Sequence, residues 1–325
     1  MIDRPMLRFA VLCIGWCTAW NGWLTNAASV WGQAPQSHRL AADEGTSLSP
    51  RSAPKAWPHT AEVGSFRFYS TLPIERFRSQ IDHLVSLPEE ISTQLGVELR
   101  IPTIYVVVLA DQREFEAYLR DHYPGVKQSQ AMFIRDRGAG LVLTWMQEHW
   151  LIDSRHEVVH AILHAQNVSI PLWLDEGLAE YFEHGGPGPE HPVHLAPLRA
   201  QLKFGRVADL ELQEKWRSEM PLTGEQYRDA WGSVAFLMHH SSALREEFLA
   251  YVSDLMADRA TGFLSYRIRR AVPRWRDAYV KYYQGASGNN PQARQLASTA
   301  LSNADPESAI PTTAPLSAAT PPMQR

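Results

Sequence analysis

Apolar positions along the chain change their spacing several times, and each change marks an element. Ser65 to Ser70 (SFRFYS) alternates apolar and polar residues, the period of a half-buried strand. From Pro73 to about Leu95, Ile74, Phe77, Ile81, Leu84 and Val85 recur at helical spacing, and Pro88 interrupts them, which predicts two helices or a kink. Pro102 to Ala110 (PTIYVVVLA) is apolar throughout, as a central strand covered on both faces should be. Asp111 to His122 reads as a helix capped by Asp111, with Phe115, Tyr118 and Leu119 on its apolar face. Ala131–Arg135 and Gly140–Trp145 read as two strands joined at the hairpin signal Asp136-Arg137-Gly138. A helix after Asp153 or Ser154 and a second one starting near Pro171 follow. Leu198–Phe204, Thr223–His240, Ala243–Leu255 and Arg274–Tyr283 complete a mostly helical second half. The predicted fold class is α+β. A small mixed α/β sheet part (63–149) precedes a helix pair and a mostly helical part (150–284).

The ends read differently. Residues 1–34 carry Arg4 and Arg8, the apolar run Phe9–Trp23, and small residues at Ala27-Ala28-Ser29 and Gly32-Gln33-Ala34. This is the layout of an export signal, with an uncleaved membrane anchor as the alternative. The expected location is periplasmic, cell-surface or secreted. Cys13 and Cys17 are the two cysteines of the chain, and Leu12 and Trp16 before them are not the small residues of a lipidation site. Removing the signal removes both cysteines, so a metal site in the mature chain must use His and carboxylate ligands. Residues 35–62, rich in Ser, Ala and Pro, read as a linker, and 285–325 as a disordered tail. A net charge of −4 offers no electrostatic case for a nucleic-acid partner.

The chemistry concentrates between Asp153 and His184. His156, Glu157 and His160 form His-Glu-x-x-His. On a helix, positions i and i+4 share a face, so both imidazoles can grip one metal ion. Glu157 projects about 100° around the helix from His156, where it can act as a base on water rather than as a ligand. Zinc in hydrolases takes three protein ligands and leaves a fourth position open. His164 lies a further turn along and is too far to converge with the first two. Glu176 follows His160 after fifteen intervening residues, room for a helix end, a turn and the start of a second helix. It is the candidate third ligand. Glu180, one turn later, is placed to accept the free ring N–H of a ligand histidine. Gly177 would weaken a helix unless another element must approach closely. Glu157 also has a structural reading, as the partner of Ser154 in a capping box.

HEVVH followed by WLDEGLAEYFE resembles the gluzincin metallopeptidases, and most closely a bacterial gluzincin-like family of unknown function that joins an RHE-x-x-H helix to a PLWLDEGLAEYFE helix. The motifs span about thirty residues, and a looser likeness in element order runs from about Phe66 to Tyr283. The resemblance implies a zinc-dependent peptidase acting on a peptide or protein substrate, with His156, His160 and Glu176 as metal ligands and Glu157 as general base. It further implies a sheet-edge strand that pairs with substrate, for which Leu141–Trp145 is the candidate, an ordinary core strand being the alternative. It also implies an oxyanion-stabilising Tyr or His from a later helix. Tyr227 is the first choice, with His239 or His240 behind it, although Tyr227 could simply pack on Trp231. The Gly-x-Met-Glu-Asn loop of the aminopeptidase branch does not occur in the chain. His191 and His194, in the Gly- and Pro-rich stretch 185–197, are either extra ligands or solvated loop residues. A non-catalytic zinc-containing binding protein on a peptidase-like fold remains the alternative function.

Overall fold

The computed structural model of the chain describes residues 40–41, 57–123, 131–136, 139–184, 190–217 and 221–285. Six strands form one mixed sheet: β1 (Leu40–Ala41), β2 (His59–Val63), β3 (Phe66–Ser70), β4 (Ile104–Leu109), β5 (Ala131–Asp136) and β6 (Ala139–Trp145). Their order is β1-β5-β6-β4-β3-β2. β4 is central and runs parallel to both β3 and β6, while β2–β3 and β5–β6 are antiparallel pairs. The helices are α1 (Arg78–Val85), α2 (Leu87–Leu95), α3 (Gln112–His122), α4 (Trp150–His164), α5 (Leu172–Phe182), α6 (Leu195–Lys203), α7 (Leu210–Gln213), α8 (Gly224–His239), α9 (Ser242–Met256), α10 (Leu264–Ala271) and α11 (Trp275–Gly285). The fold is therefore α+β, with the sheet in the N-terminal part and helices after it. Among the described residues no helix is long and apolar enough to cross a membrane.

Alternation along the strands divides the core in two. Val107, Leu109, Leu141, Leu143, Met132 and Ile134 face α3, where Phe115 and Leu119 meet them. Val106, Val108, Val142 and Phe133 point the other way, into the main core that includes α4 and α5. Both faces of β4 are thus covered, which accounts for its uninterrupted apolar run. α4 sits close over β6: a Cβ on Gly140 would lie 2.9 Å from the Ala161 Cβ. Asp111 caps α3 by accepting the Glu114 N–H. Pro88 sits in the first turn of α2, where the helix restarts after Ser86, and α2 ends at Gly96, whose φ of 64° is the left-handed cap that glycine favours.

Four expectations need correction. The linker boundary falls too late, because His59–Val63 pairs with β3 and Leu40–Ala41 pairs with β5. A short edge strand with no buried position lacks the apolar signal that marked its neighbour. Leu141–Trp145 is no sheet edge, since β6 is hydrogen-bonded to β4 on one side and β5 on the other. α4 begins at Trp150, so Asp153 and Ser154 lie inside it rather than capping it, and Asp153 takes a hydrogen bond from Gln147 at 2.6 Å. That removes the capping-box reading of Glu157. α7 and α10 were not anticipated, because helices of four and eight residues are too short to establish a period. The expected export segment, the hairpin residues 137–138 and the tail beyond 285 lie outside the described residues.

Arg155 ties the metal-motif helix to three neighbours. Its Nε and Nη2 donate to the Phe182 carbonyl at 3.0 and 2.7 Å, Nη1 donates to the His83 carbonyl at 3.0 Å, and Nη2 pairs with Glu90 at 2.8 Å. The guanidinium is almost fully buried, so removing it strands a carboxylate and two carbonyls. Arg155→Met should lower stability by about 3–5 kcal/mol in a denaturant melt, as losing one member of a buried ion pair does. A loss below about 1 kcal/mol would place this cation outside the packing core, in the range of surface pairs.

Candidate metal centre

α4 presents His156, Glu157 and His160 inward, and α5 brings Glu176 to meet them. His156 Nε2 and His160 Nε2 are 3.2 Å apart. Glu176 Oε2 lies 3.6 Å from the first and 3.4 Å from the second. Three potential ligand atoms therefore form a nearly equilateral triangle. All three residues are buried, His156 and His160 completely and Glu176 at 3 % exposure. The i, i+4 spacing on α4 and the turn between α4 and α5 produce this convergence, as the sequence predicts.

The outward nitrogens fix the tautomers. His160 Nδ1 is 2.8 Å from Asp175 Oδ1, and His156 Nδ1 is 2.9 Å from Glu183 Oε2. A carboxylate only accepts, so each Nδ1 carries a proton, which in the neutral ring leaves the lone pair on Nε2. Two lone pairs and a carboxylate oxygen then face one another across less than 4 Å, an arrangement that calls for a cation. The titration behaviour expresses the same demand. Burial works against charge on both rings, but the carboxylates outweigh it. Glu176 and Glu183 raise His156 well above the usual range, and Asp175 and Glu176 raise His160 to about 9. These buried His and Glu groups could hold a metal ion.

Glu157 is fully buried, and neither of its oxygens accepts a hydrogen bond from the described residues. Burial raises its carboxyl to about 7, against the pull of the two histidines. A buried carboxylate without a donor is costly unless it serves something.

The expected role of Glu180 is filled by other residues. Glu183, not Glu180, accepts the His156 Nδ1–H, and Asp175 accepts that of His160 while its second oxygen meets His164 Nε2 at 2.8 Å. Glu180 instead pairs with His194 at 2.8 Å. The spacing pointed to the correct face of α5 but not to the residue. Glu183 follows Glu176 by seven positions, two turns, and so returns to nearly the same face as the ligand. His191 and His194 are not solvated: both are buried, beside Glu180 and Glu183. Hydrogen bonds from His156 and His191 overcome burial and hold the Glu183 carboxyl well below its ordinary value.

α8 packs across α5 at Gly177, where a Cβ would come within 2.8 Å of both the Ala230 carbonyl oxygen and the Val234 Cγ2. The glycine beside Glu176 is explained by this close approach. Tyr227 is buried one turn before Ala230 on α8. His239 is occupied elsewhere, 2.7 Å from the Tyr181 hydroxyl, with burial lowering it to about 4. His240 stacks on Phe236, with ring centroids 4.8 Å apart.

No known family profile matches the chain, and no curated protein is significantly similar to it.

Two outcomes follow from this geometry. Gly177→Ala should cost about 1–3 kcal/mol by forcing α8 away from α5, readable as a lowered melting temperature; an unchanged melt would mean the two helices can separate freely. Asp175→Asn should weaken divalent-metal binding by about 10–100-fold in a chelator competition, since it removes the charge that orients His160. Equal affinity would show that Asp175 does not orient the ring.

Proposed function

We propose that the chain is a zinc-dependent hydrolase of the gluzincin type, most plainly a peptidase. The observation that carries this reading is the convergence of His156 Nε2, His160 Nε2 and Glu176 Oε2 beside a buried carboxylate, Glu157, that takes no hydrogen bond from the described residues. A tetrahedral zinc with bonds of about 2.0–2.1 Å has ligand-to-ligand edges of about 3.3–3.4 Å. The three separations here, 3.2, 3.4 and 3.6 Å, bracket that value. Two imidazoles and one carboxylate are a donor set that suits zinc, and three protein ligands leave a fourth position, as catalytic sites do.

When bound, zinc supplies a Lewis acid that acidifies water and polarises a carbonyl oxygen. The chain's own residues do the rest. His156, His160 and Glu176 hold the ion, with Glu183 and Asp175 fixing the two rings. Glu157 takes the proton from the attacking water and passes it to the leaving amide nitrogen. Bringing a cation to the neighbouring ligands favours its charged, proton-accepting form. Tyr227 is the proposed hydrogen-bond donor to the oxyanion. Export, with any membrane contact made through the N-terminal segment, and a peptide or protein substrate belong to the same proposal.

One observation favours a second reading, a non-catalytic metal-containing binding protein. His156, Glu157 and His160 have no solvent exposure, so a peptide can reach them only if the structure opens. A structural site, however, has no use for Glu157.

Glu157→Gln should keep one zinc per chain and lower cleavage of a mixed peptide library by about 100-fold or more, the scale of general-base catalysis. Glu176→Ala should lose the zinc. Full activity in Glu157→Gln would sink the mechanism, and zinc in both the wild type and Glu157→Gln with cleavage in neither would favour the binding-protein reading.

A further inference from the structure

Beyond the three ligands, buried titratable side chains gather at the C-terminal end of α5, where Glu180, Glu183, His191 and His194 meet. Among the described residues the ion pairs of both carboxylates are with histidines alone. Two buried carboxylates require positive charge or hydrogen-bond donors, which a second metal ion or protonated ring nitrogens could supply.

The hydrogen bonds of His191 decide between these. Its Nδ1 accepts the backbone N–H groups of Val193 and His194, each at 3.2 Å. An accepting ring nitrogen carries no proton, so the ring proton sits on Nε2. Nε2 then donates to Glu183 Oε1 at 3.1 Å, with Glu180 Oε2 at 3.5 Å. A nitrogen that donates a hydrogen bond has no lone pair for a metal, so His191 is a support rather than a ligand. His184 Nε2 also approaches Glu183 Oε1, at 3.2 Å, but makes no hydrogen bond with the described residues.

We infer that His191 is a positioning residue of the metal centre, acting through Glu183 to hold His156 in its metal-binding tautomer. The inference rests on the ligand assignment proposed above. The relay runs in one direction. Backbone N–H groups of the loop fix the His191 tautomer, and His191 Nε2–H fixes Glu183 as an acceptor on Oε1. Glu183 Oε2 is thereby held in line to receive His156 Nδ1–H at 2.9 Å, which leaves His156 Nε2 with its lone pair toward Glu176 and His160. A short loop after α5 is thus part of the machinery that sets metal affinity.

Two substitutions separate this role from simple loop anchoring. His191→Asn keeps an oxygen that can accept the Val193 and His194 N–H groups but has no donor reaching Glu183. His191→Gln keeps an N–H that reaches toward Glu183. Zinc affinity of the full chain, measured by chelator competition, should fall by about 10–100-fold in His191→Asn and recover most of that loss in His191→Gln. In a Glu183→Gln background, His191→Asn should add no further loss, because both act through one carboxylate. The opposite ranking, Asn tolerated and Gln impaired, would mean that His191 only anchors the loop, and overturns the inference. So would two zinc ions in the wild type falling to one in His191→Asn, since His191 would then be a ligand. If the wild type binds one zinc and His191→Asn binds it equally well, the positioning role alone falls; a wild type that binds none overturns the ligand assignment as well.

Discussion

Two imidazole nitrogens held 3.2 Å apart with their lone pairs facing are the constraint on which the centre of this protein depends. Nothing in water would keep them there. They stay because each ring is pinned from behind, His156 by Glu183 and His160 by Asp175, and because both rings grow from adjacent turns of one buried helix. The surrounding packing can be read as support for that arrangement. The sheet provides a floor under α4, Gly140 allows the helix to descend onto β6, and Arg155 ties its flank to α1, α2 and the end of α5.

Placing so many ionisable groups in the interior is expensive unless each finds a partner. Here the partners form a connected set. Asp175 joins His160 to His164, Glu183 joins His156 to His191, and Glu180 takes His194. Glu157 is the member that stands apart, fully buried beside the two histidines with no hydrogen-bond donor among the described residues. That exception is what directs the functional reading toward acid–base chemistry rather than toward a purely structural cluster.

Much of this was legible before any coordinates. The parallel core strand at Ile104–Leu109, the break at Pro88, the Asp111 cap and the long helices of the second half follow from periodicity and capping chemistry acting over a few residues. The convergence of His156, His160 and Glu176 was legible too, from i, i+4 spacing on one helix and the length of the turn to the next. What escaped depends on distances between elements. No local pattern tells that β6 is flanked on both sides, that a four-residue helix forms at Leu210–Gln213, or that Glu183 rather than Glu180 reaches His156. The histidines at 191 and 194 were hidden for the same reason: they follow a stretch rich in glycine and proline, and no local pattern places them beside Glu180 and Glu183. Gly177 lay between these cases, since its oddity within a helix was visible while the helix that presses on it was not.

Three histidines stand at 156, 160 and 164, one per turn along α4, like equal rungs of a ladder. A slide of about 5.4 Å, one helical pitch, would offer the pair at 160 and 164 to α5 in place of the pair at 156 and 160. The two alignments would look alike to Glu176, so the histidine spacing alone does not choose between them. The choice is made by contacts that have no counterpart one turn away. Arg155 holds the Phe182 carbonyl together with the His83 carbonyl and Glu90, and Asp175 spans the second and third rungs together, leaving the first for Glu183. Those unsymmetrical contacts act as a vernier on a repetitive scale: they set which two rungs the chain uses, and they do so before any ligand arrives.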